Sequence, residues 1–311
     1  MSQFMATIVS RSASRSQSRR PGATSRGSAR LPPNVNREKR SPDSGEMDHV
    51  PVVSPSLSGP RLLHIISEEG REELRRPLTS LWWSAVVAGL VMSLSASCKA
   101  FLHGVVPDAP WRLAITSFGY SVGFVVVVLG RLQLFTENTI TTVLPLLADR
   151  SRKALWCTGR LWGTVLVGNL VGCLAAAALM HFVQLSPDTS HEALLDISRH
   201  YADRSAGEML AHGVPAGFLI AALVWSSPAA GSSRFWLVVF LSYMISVGDL
   251  THIIAGAVEL FVLLFAGEAS LYQVVVQGIL PTGIGNILGG TVFFALLAYA
   301  QAREELEPEE D

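Results

Sequence analysis

The stretch that decides the fold is Gly248-Asp249-Leu250-Thr251-His252-Ile253-Ile254-Ala255-Gly256, which lies in the middle of a long apolar run from Phe235 to Phe265. A membrane-spanning helix is expected to be continuous, but this run carries a glycine, an acid and an imidazole near its centre. Irregular backbone is tolerated inside a membrane only where protein or water satisfies its polar groups. The stretch therefore predicts a broken span that lines a cavity, with His252 in a permeation path.

The composition of the whole chain favours a membrane protein. Of its 311 residues 16% are charged and 49% are hydrophobic, whereas soluble domains carry roughly 25% charge. The three cysteines lie in or beside apolar segments without metal-like spacing, which is typical of buried, reduced thiols. We predict the lipid bilayer as a partner, and no metal, cofactor or nucleic acid.

The chain divides into four parts. Residues 1–60 are rich in Ser, Arg, Pro and Gly and predict a disordered basic tail. Residues 61–78 predict an amphipathic helix, which lies along the membrane surface or against the bundle. Residues 79–303 form the transmembrane domain, and residues 304–311 form an acidic C-terminal tail. The apolar positions of the amphipathic helix are Leu62, Leu63, Ile65, Ile66 and Leu74.

Six apolar segments predict an all-α polytopic protein. A span needs roughly 20 apolar residues, and several segments are long enough to include a break or a tilt. The segments run from about Leu81 to Phe101, Leu113 to Leu147, Leu155 to Val183, Met209 to Trp225, Phe235 to Phe265 and Tyr272 to Ala300.

Basic residues between the segments predict the orientation. Lys and Arg are enriched in cytoplasmic loops, and here they precede the first segment and follow the second, whereas the loops around Asp108 and Glu268 are poor in basic residues. Both termini are therefore expected in the cytoplasm, with the protein in the cell (inner) membrane. The basic residues are Arg71, Arg75 and Arg76, then Arg150, Arg152 and Lys153.

An internal repeat relates the third and sixth segments. Residues 168–172 and 285–289 both read G-N-apolar-apolar-G, and just over 30 residues before each lies an L-x-T/H break, at 134–136 and 250–252. Two halves of three spans each must have opposite orientation, so the pattern predicts a 3+3 inverted repeat with broken second and fifth helices. Paired glycines, here and at 159 and 163, predict close helix packing.

The polar residues inside the spans suggest a site for a small anion. Two half-helices that begin near the bilayer midplane would direct positive dipole ends at one point. His252 could donate a hydrogen bond or a proton there, and Thr136 could offer a hydroxyl from the opposite break. The alternative is that His252 hydrogen-bonds a neighbouring helix. Likewise, Arg131 could lie at an interface and pair with Glu137.

Three motifs resemble the formate/nitrite transporter family over roughly residues 70 to 303. They are L-F-T-x-N-T at 134–139, the histidine after the broken fifth span, and P-x-x-I-G-N-I-L-G-G at 281–290. The resemblance implies a homopentamer of six-helix, aquaporin-like protomers, each with a pore for small monovalent anions. The pathway residues that it implies are the central His252, Thr136, the pore asparagine Asn286 and Leu134 at an apolar constriction, with Phe135 and Thr251 in the two breaks and Ile245 and Phe124 as further constriction residues.

The sequence also departs from the family pattern at three positions. Thr251 replaces the usual acid before the histidine, Gly256 replaces an asparagine four residues after it, and Gln133 replaces the acid before L-F-T. On physical grounds, hydrogen bonding across helices is the default role for Asn286, and for its counterpart Asn169. We therefore expect a divergent member that holds His252 differently.

The functional prediction is a channel or a proton-linked carrier for anions such as formate, nitrite or hydrosulfide. An aquaporin-like pore for neutral solutes is an alternative, although the sequence contains no Asn-Pro-Ala. A non-transporting scaffold, with its basic tail bound to a partner or to anionic lipid, is another. An enzyme is not expected, because the G-x-S-x-G match at 119–123 lies inside an apolar span rather than at a strand-to-helix turn.

Overall fold

The computed structural model describes residues 57–183 and 188–305, and these fold into α-helices joined by short connections. The predicted tails, residues 1–60 and 304–311, lie almost entirely outside the described residues. The helices are α1 Gly59–Arg75, α2 Leu78–Val105, α3 Arg112–Leu129, α4 Phe135–Thr141, α5 Val143–Ala148, α6 Arg152–Phe182, α7 Asp188–Ala202, α8 Ala206–Ala230, α9 Arg234–Val247, α10 Ile253–Ala266 and α11 Gln273–Glu304.

The helices confirm the predicted all-α membrane fold. Five stretches are long and apolar enough to cross a membrane. One of them, Ala206–Val247, turns at Gly231, where φ is +49°, and so contains both α8 and α9. The shorter apolar helix α10 continues α9 beyond a break, just as α4 continues α3. The fourth span is longer than the sequence predicts, because its helix begins at Ala206 and continues to Ala230.

The first and third spans of each half pack closely. Helix α2 packs along α6, and α8 packs along α11. A side chain at Gly89 would overlap the backbone of Asn169, and one at Gly217 would overlap that of Asn286. Small residues therefore let the backbones touch in both halves, where a larger side chain would force them apart.

The glycine pairs predicted for packing behave differently. Gly172 and Gly289 each face the backbone of the neighbouring helix, which confirms the prediction there. Gly159 and Gly163 meet nothing within 4 Å in the described chain. The packing prediction is therefore wrong for that pair within the protomer.

Two amphipathic helices flank the bundle at opposite ends of α2. Helix α1 leads directly into α2 and buries Leu62, Leu63 and Ile66. Helix α7 lies between the third and fourth of the predicted apolar segments, and its start contacts α2 near Gly104. It buries one face against α2 and α10.

Candidate functional site

The second and fifth spans break in the same way. Just past the end of each of the helices α3 and α9 lies a residue with left-handed backbone, Arg131 with φ +52° and Asp249 with φ +51°. The amide of Leu132 then donates to Val127 O at 3.0 Å, and the amide of Leu250 makes the equivalent bond at 2.9 Å. These are Schellman endings, which satisfy the last carbonyls of a helix before the chain leaves it.

Asn169 on α6 holds the first break in place. Its Oδ1 accepts the amide N–H of Phe135, the first residue of α4, at 2.9 Å. Its Nδ2 donates to Ala85 O and Gln133 O, both at 2.8 Å. A fully buried amide thus satisfies backbone groups that the break leaves without helical partners.

Asn286 on α11 repeats this role at the second break. It accepts from the amide of Ile253 at 2.8 Å and donates to Gly213 O and Thr251 O, both at 2.9 Å. These bonds give Asn286 the cross-helix role that physical reasoning favours, and its polar atoms face backbone. The pore-lining role implied by the resemblance remains a prediction.

The two asparagines also fix how the halves correspond. Their bonds match Phe135 with Ile253, and therefore Leu134 with His252. The L-x-T/H comparison, which matches Leu134 with Leu250, is two residues out of register and is wrong. The opposite orientation of the halves remains a prediction.

His252 and Thr136 meet where α4 and α10 begin. Thr136 Oγ1 and His252 Nε2 are 2.8 Å apart, and both side chains are buried. The other ring nitrogen, Nδ1, accepts the amide N–H of Ala255 at 3.3 Å, so that His252 caps α10. A neutral imidazole that accepts at Nδ1 carries its proton on Nε2. His252 therefore donates to Thr136, whose own hydroxyl proton is left to donate elsewhere.

An apolar shell surrounds this pair. The Phe124 ring meets the His252 ring edge-on with centroids 5.0 Å apart. Leu134 and Ile245 are buried in the same core. The structure thus brings Phe124, Thr136 and His252 together.

Two other predicted site residues point elsewhere. Phe135 packs against Trp162 at 5.6 Å and lines an apolar cavity of about 270 Å³. Thr251 Oγ1 donates to Met209 O at 2.7 Å and so ties the break to α8. The Thr251 hydroxyl therefore stabilises the second break, and the pathway role predicted for both residues remains a prediction.

The departures from the family pattern have structural counterparts. Gln133 Nε2 donates to the Glu73 carboxylate at 2.8 Å, so α1 places an acid next to the residue that replaces the acid of the family pattern. The Tyr201 ring of α7 occupies the space above Gly256, where any side chain would overlap its hydroxyl. Gly256 thus makes room for α7.

Two cavities lie beside the two breaks. The first, which we call the α1-side cavity, has a volume of about 70 Å³ and borders Leu134. The second, the α7-side cavity, has a volume of about 20 Å³ and borders Leu250 and Gly256. Polar and charged residues of the α1-side cavity are Glu69, Glu73, Arg131, Gln133, Glu137, Asn138, Thr141 and Arg234. Those of the α7-side cavity are Lys99, Tyr120, His200, Tyr201, Arg204, Ser246, Asp249 and Glu259.

Charged groups in these cavities pair differently from the sequence expectation. Arg131 is 74% exposed and pairs with Glu69 at 3.7 Å, so its predicted pairing with Glu137 is wrong. On the other side, Arg204 and His200 both contact the carboxylate of Asp249. Arg204 and Lys99 are not among the site residues predicted from the sequence, although Lys99 is a charge inside an apolar run.

An ion pair outside the spans anchors α7. Arg199 donates from Nε and Nη2 to the two carboxylate oxygens of Glu268, both at 2.7 Å. Glu268 lies in the connection between α10 and α11. The hydrogen bonds from Arg199 lower the pKa of the Glu268 carboxyl. This contact fixes α7 over the α7-side cavity.

Comparison with known proteins extends the likeness to most of the chain. The family model described as formate/nitrite transporter matches residues 60–300. The inner membrane protein YfdC of Escherichia coli (strain K12) is 36% identical over 241 residues, which are 78% of each chain. A solved structure described as an FNT family ion channel has a TM-score of 0.68 at 19% identity, over 77% of this chain and 98% of that one. A pentameric formate channel with formate bound gives 0.64 at 20% identity, over 74% and 98%.

Proposed function

The chain belongs to the formate/nitrite transporter family, and on that premise we propose that it conducts small monovalent anions across a membrane. The resemblance carried by its motifs is thereby confirmed. The observation that supports the proposal most is the buried His252–Thr136 pair, which joins the two breaks at 2.8 Å. A polar cavity borders each of these breaks. The substrate class is formate, nitrite or hydrosulfide.

The His252–Thr136 pair supplies a hydrogen-bond donor that can replace part of the hydration an anion loses on leaving water. An anion that enters an apolar passage gives up hydration at a large free-energy cost. The His252 proton on Nε2 is directed at Thr136, so the Thr136 hydroxyl is free to donate to the anion. The N-terminal end of α10 adds a positive dipole at the same point.

The cost of desolvating an anion also explains why its transport would be linked to a proton. A weak-acid anion that gains a proton crosses the constriction at Phe124 and Leu134 as a neutral molecule, which removes most of the desolvation cost. We propose that His252 serves as a hydrogen-bond donor in this passage, because its Nδ1 is engaged by Ala255. Uptake is therefore expected to rise as the pH falls.

Assembly and orientation complete the proposal. We propose a homopentamer in the inner membrane with both termini in the cytoplasm and α1 along the cytoplasmic surface. The basic residues around the first two spans and the pentameric structural neighbour support this arrangement.

Uptake by reconstituted protein tests the function. Proteoliposomes that contain the full chain are mixed with formate, nitrite, hydrosulfide, chloride or glycerol, and uptake is followed against protein-free vesicles. We expect uptake of at least one of the three weak-acid anions and none of glycerol. Uptake of glycerol alone would instead establish a neutral-solute pore.

A further inference from the structure

Glu259 is a buried acid that the proposed pathway has not yet used. It lies on α10, is 3% exposed and lines the α7-side cavity. Within residues 57–183 and 188–305, no backbone or side-chain group forms a hydrogen bond to its carboxyl. A carboxyl removed from water needs either a proton or a nearby cation. Glu259 is therefore placed to hold a proton or to release one.

Its position along α10 connects the cavity with the central histidine. His252, Gly256 and Glu259 are spaced i, i+4, i+7, which places them on one face of the helix. Seven residues of helix correspond to about 10 Å. An anion that enters from the α7 side therefore comes level with Glu259 before it reaches the proposed constriction at Phe124.

Titratable and charged groups face Glu259 from four elements. Asp249 already binds Arg204 and His200. Lys99 forms no ion pair in the described chain and lies 5.9 Å from the centre of the Tyr120 ring. Lys99 is thus the cation left to balance Glu259, and a proton on Glu259 would leave the cavity with one excess positive charge. The facing groups are Lys99 of α2, Tyr120 of α3, His200 and Tyr201 of α7 with Arg204 just after it, and Asp249 in the break.

The cavity is large enough for a proton path but small for a stored anion. Its volume of about 20 Å³ exceeds the roughly 10–15 Å³ that one water requires. Its polar walls supply the partners that a buried water needs. The cavity can therefore connect Glu259 to the pathway through water.

We propose that Glu259 is the group that gives a proton to the permeating anion on the α7 side of the constriction, which deepens the proposed function and rests on it. The O–H bond of the Glu259 carboxylic acid breaks, and its proton forms a new bond to the basic atom of the anion. The carboxylate that remains is balanced by Lys99, while the neutral acid proceeds past Phe124 to the hydroxyl of Thr136. Water on the α7 side then returns a proton to Glu259.

The first test separates proton coupling from packing. Formate-driven proton flux is measured in proteoliposomes with a trapped pH dye for wild type, Glu259→Gln and Glu259→Asp. We expect Glu259→Gln to lower the coupled proton flux more than tenfold and to flatten its pH dependence, and Glu259→Asp to retain both. Glu192→Gln, the same chemical change at an exposed position on α7, is the matched control and should behave as wild type.

The second test does not depend on the stability of the Glu259 variants. A cation near a carboxylate favours its charged form, so Lys99→Gln should strengthen proton binding at Glu259. The pH at which formate uptake is half-maximal is then expected to move upward by about one unit. A purely structural role for Glu259 would leave that midpoint in place.

The outcomes distinguish the two proposals. If wild type takes up formate but Glu259→Gln keeps its coupled flux and Lys99→Gln keeps its midpoint, the role of Glu259 is overturned and the anion pathway stands. If wild type takes up none of the weak-acid anions, the proposed function fails, and the role of Glu259 fails with it.

Discussion

The Thr136 hydroxyl joins the two breaks through its hydrogen bond with His252. Its loss should remove the donor that we propose for the anion. Thr136→Val keeps the shape of the side chain but removes the donor. A hydrogen bond to a charged group contributes about 1.5–3 kcal/mol, so we expect initial rates of formate uptake to fall roughly tenfold to a hundredfold. Thr136→Ser restores a hydroxyl and should recover most of the rate. Equal rates in Thr136→Val and wild type would exclude the hydroxyl from the pathway.

A variant at Gly256 tests whether the packing of α7 requires a residue without a side chain at this position, where the family pattern has asparagine. Gly256→Asn would drive a side chain into the Tyr201 ring, and overpacking of this kind costs about 1–3 kcal/mol. We expect a lower thermal unfolding temperature for the detergent-solubilised protein. The double variant with Tyr201→Ala should recover part of the loss, because the two sites are coupled.

Gly207→Ala is the matched control for that experiment. Within the part of the chain that the structure describes, a methyl group at Gly207 meets only the Ser205 hydroxyl oxygen, at 4.0 Å. The unfolding temperature of Gly207→Ala should therefore stay close to that of wild type. A Gly256→Asn variant that is as stable as wild type would show that Tyr201 moves aside freely.

At the scale of elements, two buried asparagines hold the broken spans together. Asn286→Leu leaves an amide N–H and two carbonyls without their partners, and each unsatisfied buried group costs about 1–3 kcal/mol. We expect a loss of at least about 3 kcal/mol in unfolding free energy, with a similar loss for Asn169→Leu. A variant at Asn286 that retains full stability and loses only uptake would point to pore lining instead.

The Arg199–Glu268 contact should make the anchoring of α7 depend on pH. The pKa of Glu268 is lowered in the folded protein, so the contact stabilises the fold above the ordinary glutamate value of 4.5 and is lost as the pH falls below it. Glu268→Gln should therefore unfold at a lower temperature than wild type at pH 7, and the difference should disappear in acid. A difference that is constant across this range would contradict the assignment.

The breaks themselves were predictable because glycine and charge interrupt long apolar runs. The histidine–threonine contact could be anticipated from the two breaks, but their register could not. The L-x-T/H match compares side-chain types, whereas the correspondence is set by backbone bonds to Asn169 and Asn286. Helix α7 was missed because its apolar positions fall in a segment of mixed charge.

At the scale of the whole molecule, the proposed pathway runs through the bundle from the side of α7 to the side of α1. The α7-side and α1-side cavities border the two breaks, and the proposed route between them passes the buried residues Phe124, His252 and Thr136. The sequence predicted the spans and the central residues, since these lie in local motifs. It could not predict the cavities, because their walls come from helices far apart in the chain.

The most direct test of an anion path through His252 is formate uptake into proteoliposomes by wild type and by His252→Phe. Uptake is compared at about pH 5.5–6 and at about pH 7.5, which lie on either side of the ordinary histidine pKa of about 6.5. Phe keeps an aromatic ring against Phe124 but supplies no donor to Thr136. We expect wild-type uptake to be faster at the lower pH and the variant to lose most of it at both. Equal uptake by the two proteins would contradict the proposed path.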